Sequence, residues 1–158
     1  MNDLEQSASR GQPGPGRHAE SRRPDPYNTN LAAEFYVLSM LHRRGAEASL
    51  TLGNKKSVDL TVVRGAGRTV TIDVKGVAKR WDWPGDNVRL PEHNRHILAL
   101  VSFEGKIRES AAPPSVWVIP ARKASPFLRR YRTRTVISRA AVEAEGARFR
   151  EAWHLLAR

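Results

Sequence analysis

The chain has 158 residues, carries 27 Lys and Arg against 16 Asp and Glu for a formal net charge of +11, and contains no cysteine. Disulfides and thiolate metal sites are therefore excluded, and no run approaches the roughly 18 apolar residues of a spanning helix. A basic excess of this size points to a polyanionic partner held through phosphate contacts and counterion release, without specifying DNA over RNA or any base sequence.

Residues 1–26 contain Gly11-Gln12-Pro13-Gly14-Pro15-Gly16 and almost no large apolar side chain, a composition that predicts a disordered N-terminal tail. The tail lacks the apolar centre of a signal peptide, and the absence of cysteine is compatible with a reducing compartment, so a cytoplasmic protein without a membrane partner is expected. Its four arginines are offset by four acids, so the whole excess falls on residues 27–158, where 23 bases face 12 acids. That remainder is long enough for one domain with its own core.

The first element is a helix over Asn30–Arg44, with Thr29 or Asn30 as N-cap and Gly45 as its stop. Leu31, Phe35, Leu38 and Leu41 recur at helical spacing and predict the buried stripe. Glu34 falls inside that stripe, where a carboxylate needs a basic partner, a metal or a proton. After a Gly53-Asn54 turn come Lys55 and Lys56, read either as solvated lysines or as a clamp on a neighbouring phosphate.

Two stretches rich in β-branched residues follow, Val58–Val63 and Val70–Lys75, joined by the glycine-bearing connection Arg64–Arg68 that suits a hairpin. Alternation puts Val70, Ile72 and Val74 on one face of the second strand and Thr71, Asp73 and Lys75 on the other. If the apolar faces of the two strands align, Asp59 emerges beside Asp73 and Lys75. Two carboxylates and a lysine are costly to bury for structure alone, and they suit a site that holds a divalent cation beside a phosphate.

The loop Lys79–His96 begins with Arg80-Trp81-Asp82-Trp83-Pro84-Gly85, at the mouth of this site. Trp81 or Trp83 is expected to stack on an unpaired base, or one of them to cap the core edge. His93 and His96 lack the further ligands of a zinc site. His96–Phe103 is a continuous apolar run expected as a buried strand, and Val116–Ile119 reads as another. The densest basic run comes next, with Arg122, Lys123, Arg129, Arg130, Arg132 and Arg134, no acid, and interleaved Phe127 and Tyr131; phosphate contact or a solubilising face are its two readings. Ser138 is expected to cap a short helix through Val142, and Phe149, Trp153 and Leu156 predict a last helix over Arg148–Arg158. The order of elements suggests an α/β sandwich, a mixed central sheet flanked by helices.

Helix with Glu34, strand with Asp59, strand with Asp73-Val74-Lys75: this ordered set resembles the PD-(D/E)XK nuclease superfamily, the restriction-endonuclease-like fold, over roughly residues 30–103. The lead-in Leu52–Leu60 is similar to that of small Holliday junction resolvase-like members. Many members lack the proline before the first aspartate, and that position is Val58 here, while Asp73 stands where Glu is commoner. The resemblance implies a Mg²⁺ ion, with Mn²⁺ able to substitute, held by Asp59, Asp73 and the backbone carbonyl of Val74. It implies Lys75 orienting the attacking water and Glu34 serving a second metal or a water. It further implies endonucleolytic cleavage of DNA, with branched or structured DNA as a substrate class and a homodimer wherever two cuts must be placed. Two other readings remain open from sequence: a non-catalytic nucleic-acid-binding module on the same fold, and a subunit of a larger defence or repair assembly.

Overall fold

In a computed structural model, residues 23–51 and 58–157 are described. The expected tail up to residue 22, and Lys55 and Lys56 with their turn, lie outside these residues.

The first helix, α1, spans Pro26–His42 and so begins four residues before the sequence expectation. Asp25, not Thr29 or Asn30, is its N-cap, accepting the Tyr27 N–H at 3.0 Å, with Pro26 at the first helical position, where its missing N–H costs nothing. Gly45 follows the end with φ of 74°, as a stop glycine should.

The buried stripe of α1 also differs from expectation. It is Thr29, Ala33, Val37 and Leu41, with Leu38 packed against its margin, so Leu38 and Leu41 of the expected stripe face the core while Phe35 is half exposed. The reason is close approach. A Cβ placed on Gly76 of the sheet would lie 2.7 Å from Ala33 Cβ and 2.9 Å from the Thr29 carbonyl, so only small side chains fit between helix and sheet there. The larger Phe35 turns outward, and Leu31 is only partly buried.

Strands β1 (Glu47–Leu50), β2 (Leu60–Arg64), β3 (Arg68–Val77), β5 (His96–Ser102) and β6 (Ser115–Pro120) form a mixed sheet in the order β1-β2-β3-β5-β6; β4 (Trp83–Pro84) lies elsewhere. Only β3 and β5 run parallel, with Thr71 opposite His96, Asp73 opposite Leu98 and Lys75 opposite Leu100. The β2–β3 hairpin stands where the sequence placed it, its turn carrying Ala66 and Gly67 at positive φ.

Apolar side chains cover both faces of this sheet. On the α1 face, Val70, Ile72, Val74, Ala99 and Val118 pack with Ala33, Val37 and Leu41. On the other, Leu98, Leu100, Trp117 and Ile119 pack with Trp83, Phe127, Ile137 and Val142. This second layer is not simply helical. It combines the short helix α2 (Arg139–Glu145), capped by Ser138 as expected, with a small antiparallel sheet in the order β4-β8-β7, where β7 is Leu128–Arg130 and β8 is Thr135–Ile137. The protein is thus a mixed α/β sandwich built on a five-stranded sheet.

The expected helix over Arg148–Arg158 does not form. Arg150 bridges to Trp117, the Glu151 N–H donates to the Val116 carbonyl, and Glu151 takes φ of 50°, so the edge of β6 captures the chain and leaves only single 3₁₀ turns at Ala147–Phe149 and Trp153–Leu155. Phe149, Trp153 and Leu156 are buried nonetheless, because the hydrophobic demand is met without the helical period. Among the described residues no helix is long and apolar enough to cross a membrane.

Candidate active site

Four elements converge on one end of β3. Asp73 and Lys75 leave the strand on the face away from α1, two residues apart, and Lys75 Nζ lies 2.7 Å from Asp73 Oδ1. Asp59 sits just before β2, where its N–H still bonds the Ile72 carbonyl at 2.8 Å. Its carboxylate turns onto β3, and Oδ2 accepts the Val74 N–H at 2.7 Å. In a strand, the N–H and C=O of one residue leave on the same edge, so the Val74 carbonyl also faces the gap where β2 ends. Asp59, Asp73, Lys75 and that carbonyl are therefore brought together.

Glu34 reaches this group from α1 through Asn30, one turn earlier on the same helix. The Asn30 amide donates to Glu34 Oε1 at 2.8 Å, and its Oδ1 accepts the Gly76 N–H at 2.9 Å. Asn30 thus ties the helix carboxylate to the strand that carries Asp73 and Lys75. The sequence offered Asn30 only as a cap; the signal that could have found it is its i, i+4 spacing to Glu34.

The charges are poorly neutralised. Asp73 is only 1% exposed, and its Oδ2 has no hydrogen-bond partner. Burial, opposed by the Lys75 ammonium and reinforced by the neighbouring Asp59, pushes its carboxyl up to about 6. Glu34 is raised as well, first by burial and then by Asp59, with the Asn30 hydrogen bond opposing. A buried carboxylate and a partly buried one beside it, facing one ammonium, are short of positive charge.

A second buried group closes the site along β5. His96 faces Thr71, with Nδ1 2.7 Å from Oγ1. The Thr71 hydroxyl also lies 3.2 Å from the Arg95 carbonyl, which accepts the Thr71 main-chain N–H at 2.9 Å. Burial and the nearby cations His93, Arg89 and Lys75 hold this imidazole below its ordinary range. His96 was legible in the sequence as the start of a strand, not as a neighbour of the acids.

Among the described residues no three His, Cys, Asp or Glu side chains gather as a ready metal site. The set on offer for a cation is instead two carboxylates and a main-chain carbonyl. That suits Mg²⁺, which binds one or two carboxylates and keeps several waters, and the partnerless Asp73 Oδ2 is an oxygen such an ion would satisfy.

The nucleic-acid residues expected from sequence are sorted by burial. Arg122, Lys123, Arg129, Arg130, Arg132 and Arg134 are all exposed, on the turn before β7 and on the β7–β8 hairpin, whose tip presents Tyr131 at 60% exposure. The Arg129 guanidinium also bonds the Pro126 and Leu128 carbonyls, and Phe127 is core. Arg80 is exposed but paired with Glu104 and Glu143, so a phosphate would compete with two carboxylates for it. Trp81 is exposed. Trp83 is not a surface group: it is fully buried, edge-on to Trp117, with its indole N–H on the Val101 carbonyl. Strand alternation and the pairing of β4 with β8 turn it inward, so the sequence reading of Trp83 as a base-stacking residue is corrected.

No protein-family model and no curated protein sequence matches this chain. Among solved structures it is similar to a bacterial homing endonuclease, I-Ssp6803I, at 17% identity, with a TM-score of 0.50 over 85% of this chain and 93% of that one. At that identity the likeness is one of fold, and the architecture described above is an endonuclease-like α/β fold.

Proposed function

We propose that this chain is a divalent-metal-dependent endonuclease that hydrolyses phosphodiester bonds in DNA, on a site of the PD-(D/E)XK kind. The observation that carries the reading is the buried carboxylate of Asp73, salt-bridged to Lys75 through Oδ1 but with no hydrogen-bond partner at Oδ2, set beside Asp59 on the strand edge where the Val74 carbonyl also opens. An arrangement that costs stability and leaves charge unmet is a functional-site signature. The likeness in fold to a homing endonuclease supports the same reading.

Asp59, Asp73 and the Val74 carbonyl would hold Mg²⁺, or Mn²⁺ in its place. Such a cation supplies a nucleophile near neutral pH and offsets charge on the scissile phosphate. The chain's own residues do the rest. Lys75 keeps a positive charge at Asp73, where it can orient a water and meet charge growing on the phosphate. Asn30 holds Glu34 on the helix side of the site, where its carboxylate would accept from a metal-bound water. The exposed bases of the β7–β8 hairpin supply the phosphate-binding surface, and a two-stranded ribbon of this kind is narrow enough to enter a DNA groove. Resolution of a branched substrate would take two copies of the chain, one for each cut.

The lack of three converging metal-ligating side chains among the described residues favours a second reading, a DNA-binding module without turnover, alone or within a larger assembly. Incubation with supercoiled plasmid and with a labelled four-way junction separates the two. The nuclease reading expects cutting with Mg²⁺ or Mn²⁺ and none with EDTA. Salt-sensitive binding without cutting would establish the module, and cutting that persists in EDTA would refute the metal site.

The binding surface has its own test. The triple variant Arg129→Ala, Arg130→Ala, Arg132→Ala is expected to weaken binding to every duplex sequence alike. It should also lower the slope of log Kd against log salt by up to about 2.7, at roughly 0.9 for each phosphate of B-form DNA that is no longer neutralised. An unchanged slope would move the DNA surface off the hairpin.

A further inference from the structure

Trp81 stands apart from the other tryptophans. Of the four in the chain, Trp83, Trp117 and Trp153 are at most 3% exposed, whereas Trp81 is 42% exposed and belongs to neither core cluster. An indole this open, whose ring contacts are the cations of Arg23 and Lys79, leaves aromatic surface for a further occupant.

Its surroundings indicate which one. Trp81 separates two open clefts of about 590 and 600 Å³, volumes in the range of small-ligand sites. The first is lined by Arg23, Lys79, Lys106 and Arg108 against a single acid, Glu109. The second runs from Arg23 past Arg80 to Arg134 on the basic hairpin, and its two acids, Asp82 and Asp86, accept the main-chain N–H groups of Arg139 and Thr135. The Arg23 guanidinium and the Lys79 ammonium lie 5.5 and 5.6 Å from the indole centroid. An aromatic face ringed by cations is the combination that binds unpaired nucleotides, the ring taking the base and the basic side chains taking the phosphates.

The platform is also rigidly mounted. The Trp81 N–H bonds the Lys79 carbonyl at 2.9 Å, the Ser102 hydroxyl donates to that same carbonyl, and the Gly105 N–H bonds the Ala78 carbonyl at 2.8 Å. Trp81 is thereby fixed to the end of β3, the strand that bears Asp73 and Lys75. Eight residues separate Trp81 from Asp73 and cannot span more than roughly 28 Å, which is about eight base-pair steps at 3.4 Å each.

We infer that the cleft at Trp81 binds an unpaired DNA nucleotide, so that this protein prefers DNA with a gap, flap or branch within about eight steps of the phosphate at Asp73. The inference deepens the proposed function and rests on it for DNA as the ligand.

The test uses the full chain in EDTA, so that no cutting intervenes. An intact duplex and a duplex of equal length with a three-nucleotide single-stranded gap are titrated, reading both anisotropy and tryptophan emission. The emission accessible to acrylamide comes from Trp81, since the other three indoles are buried. The gapped probe is expected to bind about 5- to 150-fold tighter than the intact one, the range of one stacked base, and to quench and protect that emission. Trp81→Ala should bring the ratio of the two Kd values towards one, while Trp81→Phe keeps most of it. Equal affinity for both probes without quenching would overturn the inference and leave the DNA reading standing. A gap preference that survives Trp81→Ala would remove Trp81 from the site. Failure of both probes to bind would sink the inference together with the function it rests on.

Discussion

Asp73→Asn is expected to lower the rate of DNA cleavage by a factor of at least about 10²–10³ and, in the same protein, to raise the stability of the metal-free fold. The first effect follows from charge. The substitution keeps the shape of the side chain and an oxygen for Lys75, but removes the anion that would hold a divalent cation with Asp59. The second follows from linkage. Asp73 is held near 6 in the fold against an ordinary value of 3.8. Between about pH 4 and pH 6 the folded chain therefore binds more protons at this group than the unfolded chain does, and stability falls as pH rises through that window. Above it, the ionised carboxylate is a standing cost, which asparagine does not carry. Glu34 is shifted in the same direction and adds to the slope.

Thermal melts check both halves without any substrate. In EDTA the wild-type chain should melt higher at pH 5 than at pH 7.5, and Asp73→Asn should flatten that difference. Adding Mg²⁺ should raise the wild-type Tm, since a ligand at tenfold over its Kd contributes about 1.4 kcal/mol, and should leave the variant unmoved. A variant that is less stable than wild type in EDTA at pH 7.5, or that still responds to Mg²⁺, would show that Asp73 is a structural carboxylate. A group that costs stability while folded and is indispensable to turnover is the usual exchange between activity and stability at an active site.

How far the sequence foretold this arrangement depends on which force decided each part. The β2–β3 hairpin and the strand at β5 were legible because alternation and β-branching act locally, and the face that carries Asp73 and Lys75 followed from a period of two. The orientation of α1 was not legible. Its partly buried Leu31 and outward Phe35 have the spacing of a core stripe, and only the close pass over Gly76 selects Ala33 and Val37 instead. The terminal segment failed for a similar reason: Phe149, Trp153 and Leu156 are buried as expected, but a hydrogen bond from Glu151 to an edge strand far away in sequence outweighed local helical preference. At the site, acids and lysine could be named from strand parity. The tie of Asn30 to Gly76 and that of His96 to Thr71 could not, because each joins residues more than twenty positions apart. The small sheet β4-β8-β7 was missed altogether, its strands being too short to show a period.

That small sheet is where the largest loss of stability is expected. Trp83→Ala should destabilise the fold by about 3–5 kcal/mol, as for other large aromatic truncations in a core, out of a total of roughly 5–15 kcal/mol for a domain. Trp83 is the largest fully buried side chain, and it touches each part of the second layer. Its ring meets Trp117 of β6 edge-on at 5.5 Å, a contact worth about 0.5–1.5 kcal/mol beyond buried area. Its N–H is spent on the Val101 carbonyl of β5, and its strand pairs with β8. The Arg139 guanidinium lies 5.7 Å from the centroids of both Trp83 and Trp117 and is bonded to Ser102, Glu104 and Glu143. Removing the indole therefore opens a cavity beside a buried cation and unpins the base of the basic hairpin. Urea unfolding should show the lower midpoint, and hydrogen exchange at Leu128–Arg130 and Thr135–Ile137 should accelerate before exchange in β3 or β5 does. DNA affinity should then fall because the hairpin that presents Arg129, Arg130 and Arg132 has lost its mounting. If Trp83→Ala weakened DNA binding with the urea midpoint and hairpin exchange unchanged, Trp83 would be a direct contact, and the inward course of β4 would be wrong.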